Sequence, residues 1–412
     1  MDWDREHALL ALRLNRLMTG GATGTALIYD GPAEWSEQVA NEPPATAGAL
    51  KEEAERLLER APDAYAAAQV RAMRAAAGHL DGERRPLAEY ASECLGMEVR
   101  WVPEEVFEQA HDELDRALPK TRGSLEERWR AWPAAYTLDP IERLPEFAEP
   151  AVAETRARTN ARIVPLPDDE VVECRLVQGV TYHGAGSYEG GHKSTIHINN
   201  DIPFNLADLL YLVAHEGHPG HIAESMLKGE KVRFMLSPSF ALSEGLGLVA
   251  EEVIFPGNEA RDWLNANILP KVGLEPIDAD LAAVHHAKNV LWGVWGNVAL
   301  MADEGRGEAE LTGYLRRWAL AGEEEAAAAL GILRPSPMSP YIFGYFHGWE
   351  LVRRWVTEPE RVTAPDQPTG PERVTAPERV TAPERATAHQ RGTGSERVRR
   401  LITERLIPAD LT

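Results

Sequence analysis

Residues 215–224, with the sequence HEGHPGHIAE, constrain the fold of this chain most, because they end a strongly apolar segment, LADLLYLVA. Three histidines and Glu216 fall within seven residues there. A buried ionisable group costs free energy unless it is paired or binds a metal ion. We therefore interpret this segment as a zinc site on a helix, with ordinary paired histidines as the alternative.

The segment departs from the H-E-x-x-H zinc signature at Pro219, which occupies the position of the second histidine. On a regular helix His218 lies roughly 60° from His215 and His221 lies roughly 120° from it, so a regular helix pairs His215 with His218. Pro219 would clash with the carbonyl four residues back and Gly220 loosens the turn, which favours a kink or bulge that brings His221 round. We predict His215 and His221 as ligands, with His218 as the substitute if the helix is regular.

A second segment, SFALSEGLGLVAEEV, is predicted to form a helix with Ser243 near its start. Glu244 and Glu251 lie within roughly 20° of each other on one face of this helix. A zinc enzyme that takes two histidines from one helix often takes a carboxylate from a later one and leaves a fourth position for water. Glu244 is therefore our third ligand, and Glu251 could orient a histidine ligand. Solvated glutamates are the alternative.

Together, HEGHPGHIAE and SEGLGLVAEE resemble the paired HExxPGHH and EGWALYAE signatures of the domain of unknown function 885 family, which is grouped with zinc-dependent gluzincin-like metallopeptidases. YHGAGSYEGGHKSTIHINNDIP and YIFGYFHGWELVRRW are similar to that family as well, and the likeness is strongest over residues 174–356. The resemblance implies a gluzincin-like architecture, a helical bundle around a zinc cleft. Ile222 replaces the second histidine of PGHH, which favours His221 as the ligand. Leu246 with Gly247 replaces the aromatic pattern of EGWALYAE.

Tyr341, Tyr345 and His347 are polar-tipped residues within a largely aromatic and apolar segment. Zinc peptidases commonly place a tyrosine hydroxyl or a histidine imidazole opposite the metal, where it stabilises the tetrahedral oxyanion. We predict Tyr341 and Tyr345 as catalytic residues and leave the role of His347 open. Buried aromatic packing is the alternative for each of them.

The predicted fold class is mainly α with a small β-sheet (α+β). Region 1–165 has the pattern of helices rich in Ala, Leu, Glu and Arg. Region 166–356 holds the metal site and a hairpin or small sheet, in which 171–182, VVECRLVQGVTY, and 194–200, STIHINN, flank a glycine-rich segment. STIHINN is the candidate edge strand for binding a substrate main chain, or equally an ordinary structural strand.

Residues 357–395 lack the regular spacing of apolar residues that is typical of a globular domain. PERVTAP recurs there, and its closely spaced prolines block both helix and sheet. We predict a disordered low-complexity insert there. A helical pattern resumes over 396–412 and can pack on the core through four apolar residues, Val398, Leu401, Ile402 and Leu406.

The segment HHAKNVLWGVWGNVALMA is expected to pack in the core, because Trp292, Trp295 and Val298 repeat at helical spacing. His285 and His286 at its start could line a cleft. We leave both histidines outside the predicted site.

Composition limits the partners. A net charge of -22 over 412 residues disfavours nucleic acid and acidic membrane surfaces. No apolar run approaches the roughly 20 residues of a membrane span, and the first residues, MDWDREHALLALRL, lack the pattern of a signal peptide. Cys94 and Cys174 are too few for a disulfide framework. We expect a cytoplasmic protein with no nucleic-acid or membrane partner.

These patterns predict a zinc-dependent hydrolase of the metallopeptidase type, with one Zn²⁺ per chain and a peptide or small amide as substrate. In this hypothesis zinc lowers the pKa of a bound water molecule, and Glu216 accepts its proton as general base. The alternatives are a zinc hydrolase of a non-peptide amide or ester and a catalytically silent metal-binding protein.

Overall fold

Capping side chains explain where several of the N-terminal helices begin. Thr46, Asp63 and Ser124 each accept a hydrogen bond from a backbone N–H in the first turn that follows, which satisfies a donor that helix geometry leaves unpaired. The computed structural model describes residues 2–20, 26–357 and 384–412. The first eight α-helices are α1 (Trp3–Thr19), α2 (Ala33–Asn41), α3 (Ala47–Leu58), α4 (Ala64–Leu80), α5 (Leu87–Leu95), α6 (Glu104–Ala117), α7 (Leu125–Ala131) and α8 (Leu144–Arg162).

The N-terminal region also contributes a short strand, β1 (Leu27–Tyr29), which pairs antiparallel with a strand far along the chain, β5 (Val232–Phe234). A single apolar core includes buried residues from Leu10 to Leu411. The N-terminal helices therefore pack in the same core as the elements that carry the predicted site.

A three-stranded sheet precedes the histidine segment. Its strands are β2 (Val171–Val177), β3 (Gly184–Gly190) and β4 (Lys193–Asn199). They lie in the order β2, β4, β3, with β2 parallel and β3 antiparallel to β4. The small sheet is thus present as predicted, but 171–182 and 194–200 do not form a hairpin with each other. The glycine-rich segment between them is itself a strand. Gly190 ends β3 and Gly191 begins the turn to β4, with φ angles of 83° and 56°, which glycine adopts without strain.

The position of β4 overturns one prediction. β4, which contains most of STIHINN, is the central strand and is paired along both edges, so it cannot accept a further strand. Among the described strands, β3 pairs only with β4. The open edge of the sheet beside the histidine segment therefore belongs to the glycine-rich strand β3.

The second half of the described chain is helical. None of its helices, nor any other in the described residues, combines the length and apolarity needed to cross a membrane. The remaining α-helices are α9 (Leu209–Glu216), α10 (His221–Lys228), α11 (Pro238–Ile254), α12 (Glu259–Asn267), α13 (Leu269–Val272), α14 (Leu281–Asp303), α15 (Glu308–Trp318), α16 (Glu323–Ile332), α17 (Phe343–Thr357) and α18 (Glu384–Thr403). The chain is therefore mainly helical with small sheets, as the sequence predicts.

Helix α11 is buried on nearly all sides, as expected for a helix that is apolar around its whole circumference. It begins at Pro238, so Ser243 lies in its second turn rather than near its start as predicted. Helix α17 packs closely against it, since a Cβ atom on Gly245 would lie 2.4 Å from the carbonyl oxygen of Gly348. This close approach brings the tyrosines that precede and begin α17 next to the glutamates of α11.

The predicted low-complexity insert lies largely outside the described residues, which resume at residue 384. Helix α18 begins at Glu384, within the range 357–395 that we assigned to the insert, so the boundary at 395 does not mark the start of the last helix. The four apolar residues expected to pack on the core, Val398, Leu401, Ile402 and Leu406, are buried.

Candidate metal centre

The histidine segment is not one distorted helix but two helices joined by a tight turn. Helix α9 ends at Glu216, and α10 begins at His221. A Cβ atom on Gly220 would lie 1.8 Å from the carbonyl oxygen of His215, so the turn can close this tightly only because residue 220 is glycine. The predicted kink or bulge at Pro219 is therefore a complete break in the helix.

This break places two of the histidines face to face. The Nε2 atoms of His215 and His221 lie 3.1 Å apart, with the two rings nearly perpendicular at 89°. Oε2 of Glu244 lies 3.6 Å from the first Nε2 and 4.0 Å from the second. The three residues that the sequence predicts as metal ligands therefore converge on one point.

One carboxylate oxygen of Glu244, Oε2, has no hydrogen-bond partner among the described residues. Glu244 is only 3% exposed, yet its Oε2 accepts no hydrogen bond from any described residue. The distance of 3.6 Å between Glu244 Oε2 and His215 Nε2 is too long for a hydrogen bond. A buried carboxylate oxygen without a donor costs free energy unless another cation or donor completes it. His215, His221 and Glu244 could therefore hold a metal ion.

Glu216 also faces this point but has a partner of its own. Its Oε1 lies 4.0 Å from His215 Nε2, and His215, Glu216 and His221 each offer an atom within 4.8 Å of the others. Its Oε2 accepts a hydrogen bond of 2.8 Å from the backbone N–H of Gly186 on β3. One oxygen of Glu216 is thus held by the sheet while the other is turned toward the cluster.

The charges in this cluster shift the pKa values of its members. Burial lowers the pKa of His215, but the carboxylates of Glu216 and Glu244 outweigh burial and raise it overall. Burial and the neighbouring His215 lower the pKa of His221. Burial raises the pKa of Glu244, but the two histidines outweigh it and lower the pKa overall. The carboxylates thus favour the protonated form of His215, and the histidines favour the ionised form of Glu244.

Both predicted tyrosines reach the cluster. Tyr341 lies in the short 3₁₀ helix Ser339–Ile342 and donates a hydrogen bond of 2.6 Å to Glu244 Oε1. Tyr345, in the first turn of α17, donates to the hydroxyl of Tyr341 over 3.3 Å. Burial and the charge of Glu244 raise the pKa of both hydroxyls, so both remain protonated donors. The hydrogen bond from Tyr341 to Glu244 is short, whereas the hydrogen bond from Tyr345 to Tyr341 is long and therefore weak.

His218 points away from the cluster. It is fully buried, and its Nε2 lies 2.7 Å from Oε1 of Glu170. The other oxygen of Glu170, Oε2, accepts a hydrogen bond of 2.9 Å from Arg156. His218 therefore belongs to a buried polar network that anchors the turn between α9 and α10. This contact explains why the substitute ligand assignment does not match the geometry.

Glu251 orients a histidine, but not a ligand histidine. Its Oε2 lies 2.5 Å from Nδ1 of His285, whose Nε2 lies 3.1 Å from Oδ1 of Asp208. Lys288 donates to the other oxygen of Asp208 over 3.0 Å. The four groups form a network beside α9 in which His285 and Glu251 are buried and Asp208 and Lys288 are partly exposed. The network has two positive and two negative charges when His285 is protonated.

His347 is a core residue outside the site. It is 4% exposed, and its Nε2 contacts the backbone of Arg100. Burial lowers its pKa to about 4, so it is neutral at physiological pH. For His347, whose role the sequence leaves open, the structure therefore favours the alternative of buried packing.

The aromatic residues of α14 are less buried than predicted. Val298 is fully buried, but Trp292 and Trp295 are half-buried. Trp292 stacks on Tyr345, with ring centroids 4.4 Å apart and an angle of 15° between the planes. Helical spacing therefore predicts which face of α14 points inward. It does not predict that Trp292 on this face also supports Tyr345.

Three residues around the cluster were not predicted. Gly247 lies under the ring of His215, because a Cβ atom there would be 2.6 Å from the ring carbon Cε1, and its backbone accepts a hydrogen bond from this ring. Ser243 contacts Nδ1 of His221 at 3.0 Å, and Gly186 holds Glu216. Ser243 and Gly247 stand one and three residues from Glu244, so a search for polar or small neighbours of the third ligand would have found them.

No protein family and no curated protein matches this chain. Among solved structures, the chain is similar to the crystal structure of a candidate lipoprotein from Colwellia psychrerythraea, with a TM-score of 0.43 and 15% sequence identity. The match covers 82% of this chain and 62% of the other, so this chain spans less than two thirds of the length of that protein.

Proposed function

We propose that this chain is a zinc-dependent hydrolase of the metallopeptidase type, with a gluzincin-like architecture related to the domain of unknown function 885 family. The observation that supports this most directly is the convergence of His215 Nε2, His221 Nε2 and Glu244 Oε2, which lie 3.1 to 4.0 Å apart. Two imidazoles and one carboxylate form a donor set typical of catalytic zinc sites.

The three donors fit zinc in number and spacing. Ligands about 2.0–2.1 Å from a tetrahedral zinc ion lie roughly 3.3 Å from one another, close to the separations in the cluster. His215, His221 and Glu244 would hold one ion per chain and leave a fourth position for water. When bound, zinc would lower the pKa of a water molecule at the site and polarise a carbonyl group of the substrate.

Glu216 would act as the general base. A base must lie within reach of the proton that it removes and have an unprotonated oxygen directed at it. The N–H of Gly186 holds Oε2 at 2.8 Å, which fixes the carboxylate plane and leaves Oε1 directed at the cluster. A proton accepted on Oε1 can then pass to the leaving nitrogen of the substrate.

The two tyrosines would have different roles. Tyr341 donates to Glu244 and so positions a ligand. Tyr345 donates over 3.3 Å to another hydroxyl, a weak bond that it can exchange for a stronger one to negative charge developing on the substrate oxygen. Trp292, stacked on Tyr345, limits the movement of that ring.

The open edge of β3 favours a peptide over other amides or esters. The N–H of Gly186 points to Glu216 instead of β4, and main-chain groups of alternate residues in a strand point to the same side. Gly184 and Tyr188 therefore direct their main-chain groups to the same open edge. An extended peptide can add to such an edge through main-chain hydrogen bonds, which would place its carbonyl groups beside Glu216.

The deciding experiment combines metal analysis with hydrolysis of a peptide library, with and without added zinc. We expect about one zinc per chain and zinc-dependent cleavage. Glu216→Gln should keep the metal and abolish cleavage, because an amide cannot accept the proton while its size is unchanged. Glu252→Gln, which changes an exposed glutamate on α11, is the matched control and should cleave normally.

The other outcomes would overturn parts of this proposal. Cleavage of esters or small amides but not of peptides would replace the substrate class. Zinc binding with no hydrolysis of any substrate would indicate a catalytically silent metal-binding protein. Loss of zinc in Glu216→Gln would make Glu216 a ligand rather than the base.

A further inference from the structure

The hydroxyl of Ser243 lies where three side chains meet behind His221. Its Oγ is 3.0 Å from Nδ1 of His221 and 2.9 Å from Nη2 of Arg233, and it also contacts Oε2 of Glu224. Ser243, Arg233 and Glu224 are all buried. The direction of each hydrogen bond is therefore set by these groups alone rather than by bulk water.

The charge state of Glu224 fixes the first direction. Lys228 and Arg233 contact the two oxygens of this carboxylate at 2.8 and 3.0 Å. Burial raises the pKa of Glu224, but these two cations outweigh burial and hold it at about 2. An ionised carboxylate can only accept hydrogen bonds, so the single proton of the Ser243 hydroxyl points to Glu224.

The other two directions follow by counting protons. A guanidinium group has no acceptor, so Arg233 donates to Ser243. The hydroxyl has then used its one proton, and its oxygen has one remaining lone pair. The contact with His221 is therefore a hydrogen bond only if Nδ1 of His221 carries the proton and donates it.

We propose that Ser243 is a positioning residue that fixes His221 as the Nδ1–H tautomer, with Arg233 and Glu224 holding the serine hydroxyl in the accepting orientation. Nε2 of His221 then carries no proton, so its lone pair is free to bind a metal ion and is directed at His215 and Glu244. The tautomer follows from this network alone, whereas its consequence for metal binding rests on the proposed function.

This arrangement gives the two histidines independent anchors. The ring of His215 donates to the backbone of Gly247, and because its Nε2 faces His221, Nδ1 is the nitrogen left to make that bond. His221 uses a serine hydroxyl instead. Partners of this kind commonly set the tautomer and orientation of metal-binding histidines, and their loss costs about 10- to 100-fold in metal affinity.

The first test measures the tautomer itself in the metal-free full chain. Nitrogen NMR of the labelled imidazoles distinguishes a protonated from an unprotonated ring nitrogen, and His221 is assigned by the signals missing from His221→Ala. We expect His221 to show a protonated Nδ1 in the wild type and in Ser239→Ala. Ser239 is a matched control, because it lies one turn earlier on α11, is also buried, and bonds to Gln69 instead of a histidine. Ser243→Ala should lose this signature.

The second test measures zinc affinity by competition with a chelator. Ser243→Ala should bind zinc about 10- to 100-fold more weakly, and Ser239→Ala should stay within about twofold of the wild type. A wild-type His221 protonated on Nε2 would overturn the proposal even if Ser243→Ala fails to fold. Unchanged affinity in Ser243→Ala would overturn the positioning role. If the wild type shows the expected tautomer but binds no zinc, the proposed function fails and the tautomer assignment stands.

Discussion

The Nε2 atoms of His215 and His221 lie 3.1 Å apart although the two residues belong to different helices. Two imidazole nitrogens at this distance repel each other when both are unprotonated, so either a proton or a cation must lie between them. Glu244 Oε2, buried and without a partner in the described structure, faces the same point. The pairing of these nitrogens is the strongest local indication of what the protein binds.

This pairing predicts the order of two histidine variants. His221→Ala removes one of the converging nitrogens and should lower zinc affinity by more than about 100-fold, beyond the loss typical of residues that only support a ligand. His218→Ala should leave affinity within about tenfold, because His218 contacts Glu170 instead of the cluster. Competition with a chelator measures both variants side by side, and a larger loss for His218→Ala would contradict the ligand assignment.

The close fit of Gly247 under His215 predicts that a single methyl group disturbs the centre. A Cβ atom at residue 247 would lie 2.6 Å from Cε1 and 2.7 Å from Nδ1 of His215, so Gly247→Ala should push the ring away and lower zinc affinity at least about tenfold. Gly313→Ala is the control, since a Cβ atom there meets nothing within 4 Å. At this exposed position of α15, Gly313→Ala should leave zinc binding unchanged and stabilise the protein by up to about 1 kcal/mol. Equal zinc affinity in both variants would show that His215 is not a ligand.

The two tyrosines are predicted to affect different quantities, Tyr341 the zinc affinity and Tyr345 the kcat. Tyr341→Phe removes the donor to Glu244 Oε1, so it should weaken zinc binding about 10-fold or more. Tyr345→Phe should leave zinc affinity unchanged and lower kcat about 10²- to 10³-fold, the range for loss of one donor to a developing oxyanion. Steady-state kinetics at saturating zinc and a separate affinity measurement distinguish the two. Full activity in Tyr345→Phe would remove it from the catalytic residues.

The buried His285 predicts a pH dependence of stability. Burial lowers the pKa of His285, but Glu251 and Asp208 outweigh burial and raise it to about 9. Because this pKa lies above the unfolded value of about 6.5, the stabilisation is complete below about pH 6.5 and disappears as pH rises through about 9. The shift corresponds to about 3 kcal/mol of unfolding free energy.

Urea unfolding between pH 6 and 9.5 measures this contribution. The difference in unfolding free energy between the wild type and His285→Gln should shrink by about 3 kcal/mol across that range. A difference that stays constant with pH would mean that His285 is neutral in the folded protein.

The sequence predicted the residues of the cluster better than the backbone that assembles them. The sequence identifies His215 and His221 because imidazoles that end an apolar segment need a partner, and Glu244 because a zinc site with two histidines often takes a carboxylate from a later helix. The sequence predicts a kink or bulge at Pro219 and Gly220 but not the complete break between α9 and α10, since the break depends on how closely Gly220 can approach the carbonyl oxygen of His215. That distance depends on backbone torsion angles that no side-chain pattern encodes.

The sheet was misjudged for a different reason. Strand β3 has neither the alternation nor the β-branched residues on which strand prediction depends, and pairing with β4 makes it a strand. Its role in holding Glu216 through Gly186 was therefore not visible in the sequence. The sequence leaves His285 outside the site because its helix has the spacing of a core helix, and the network with Asp208 and Glu251 is consistent with a structural role.

The turn between α9 and α10 also frees the separation of the two imidazoles from the pitch of a helix. In a continuous helix, moving a ligand by one residue rotates it by about 100° around the axis, so only a few discrete spacings can face one ion. Here the torsion angles of Gly217 and Gly220 set the separation, and torsion angles vary continuously. Substitutions in the turn can thus change the distance between the two Nε2 atoms without changing the histidines themselves. In the proposed metal site, this distance would decide which ionic radius fits.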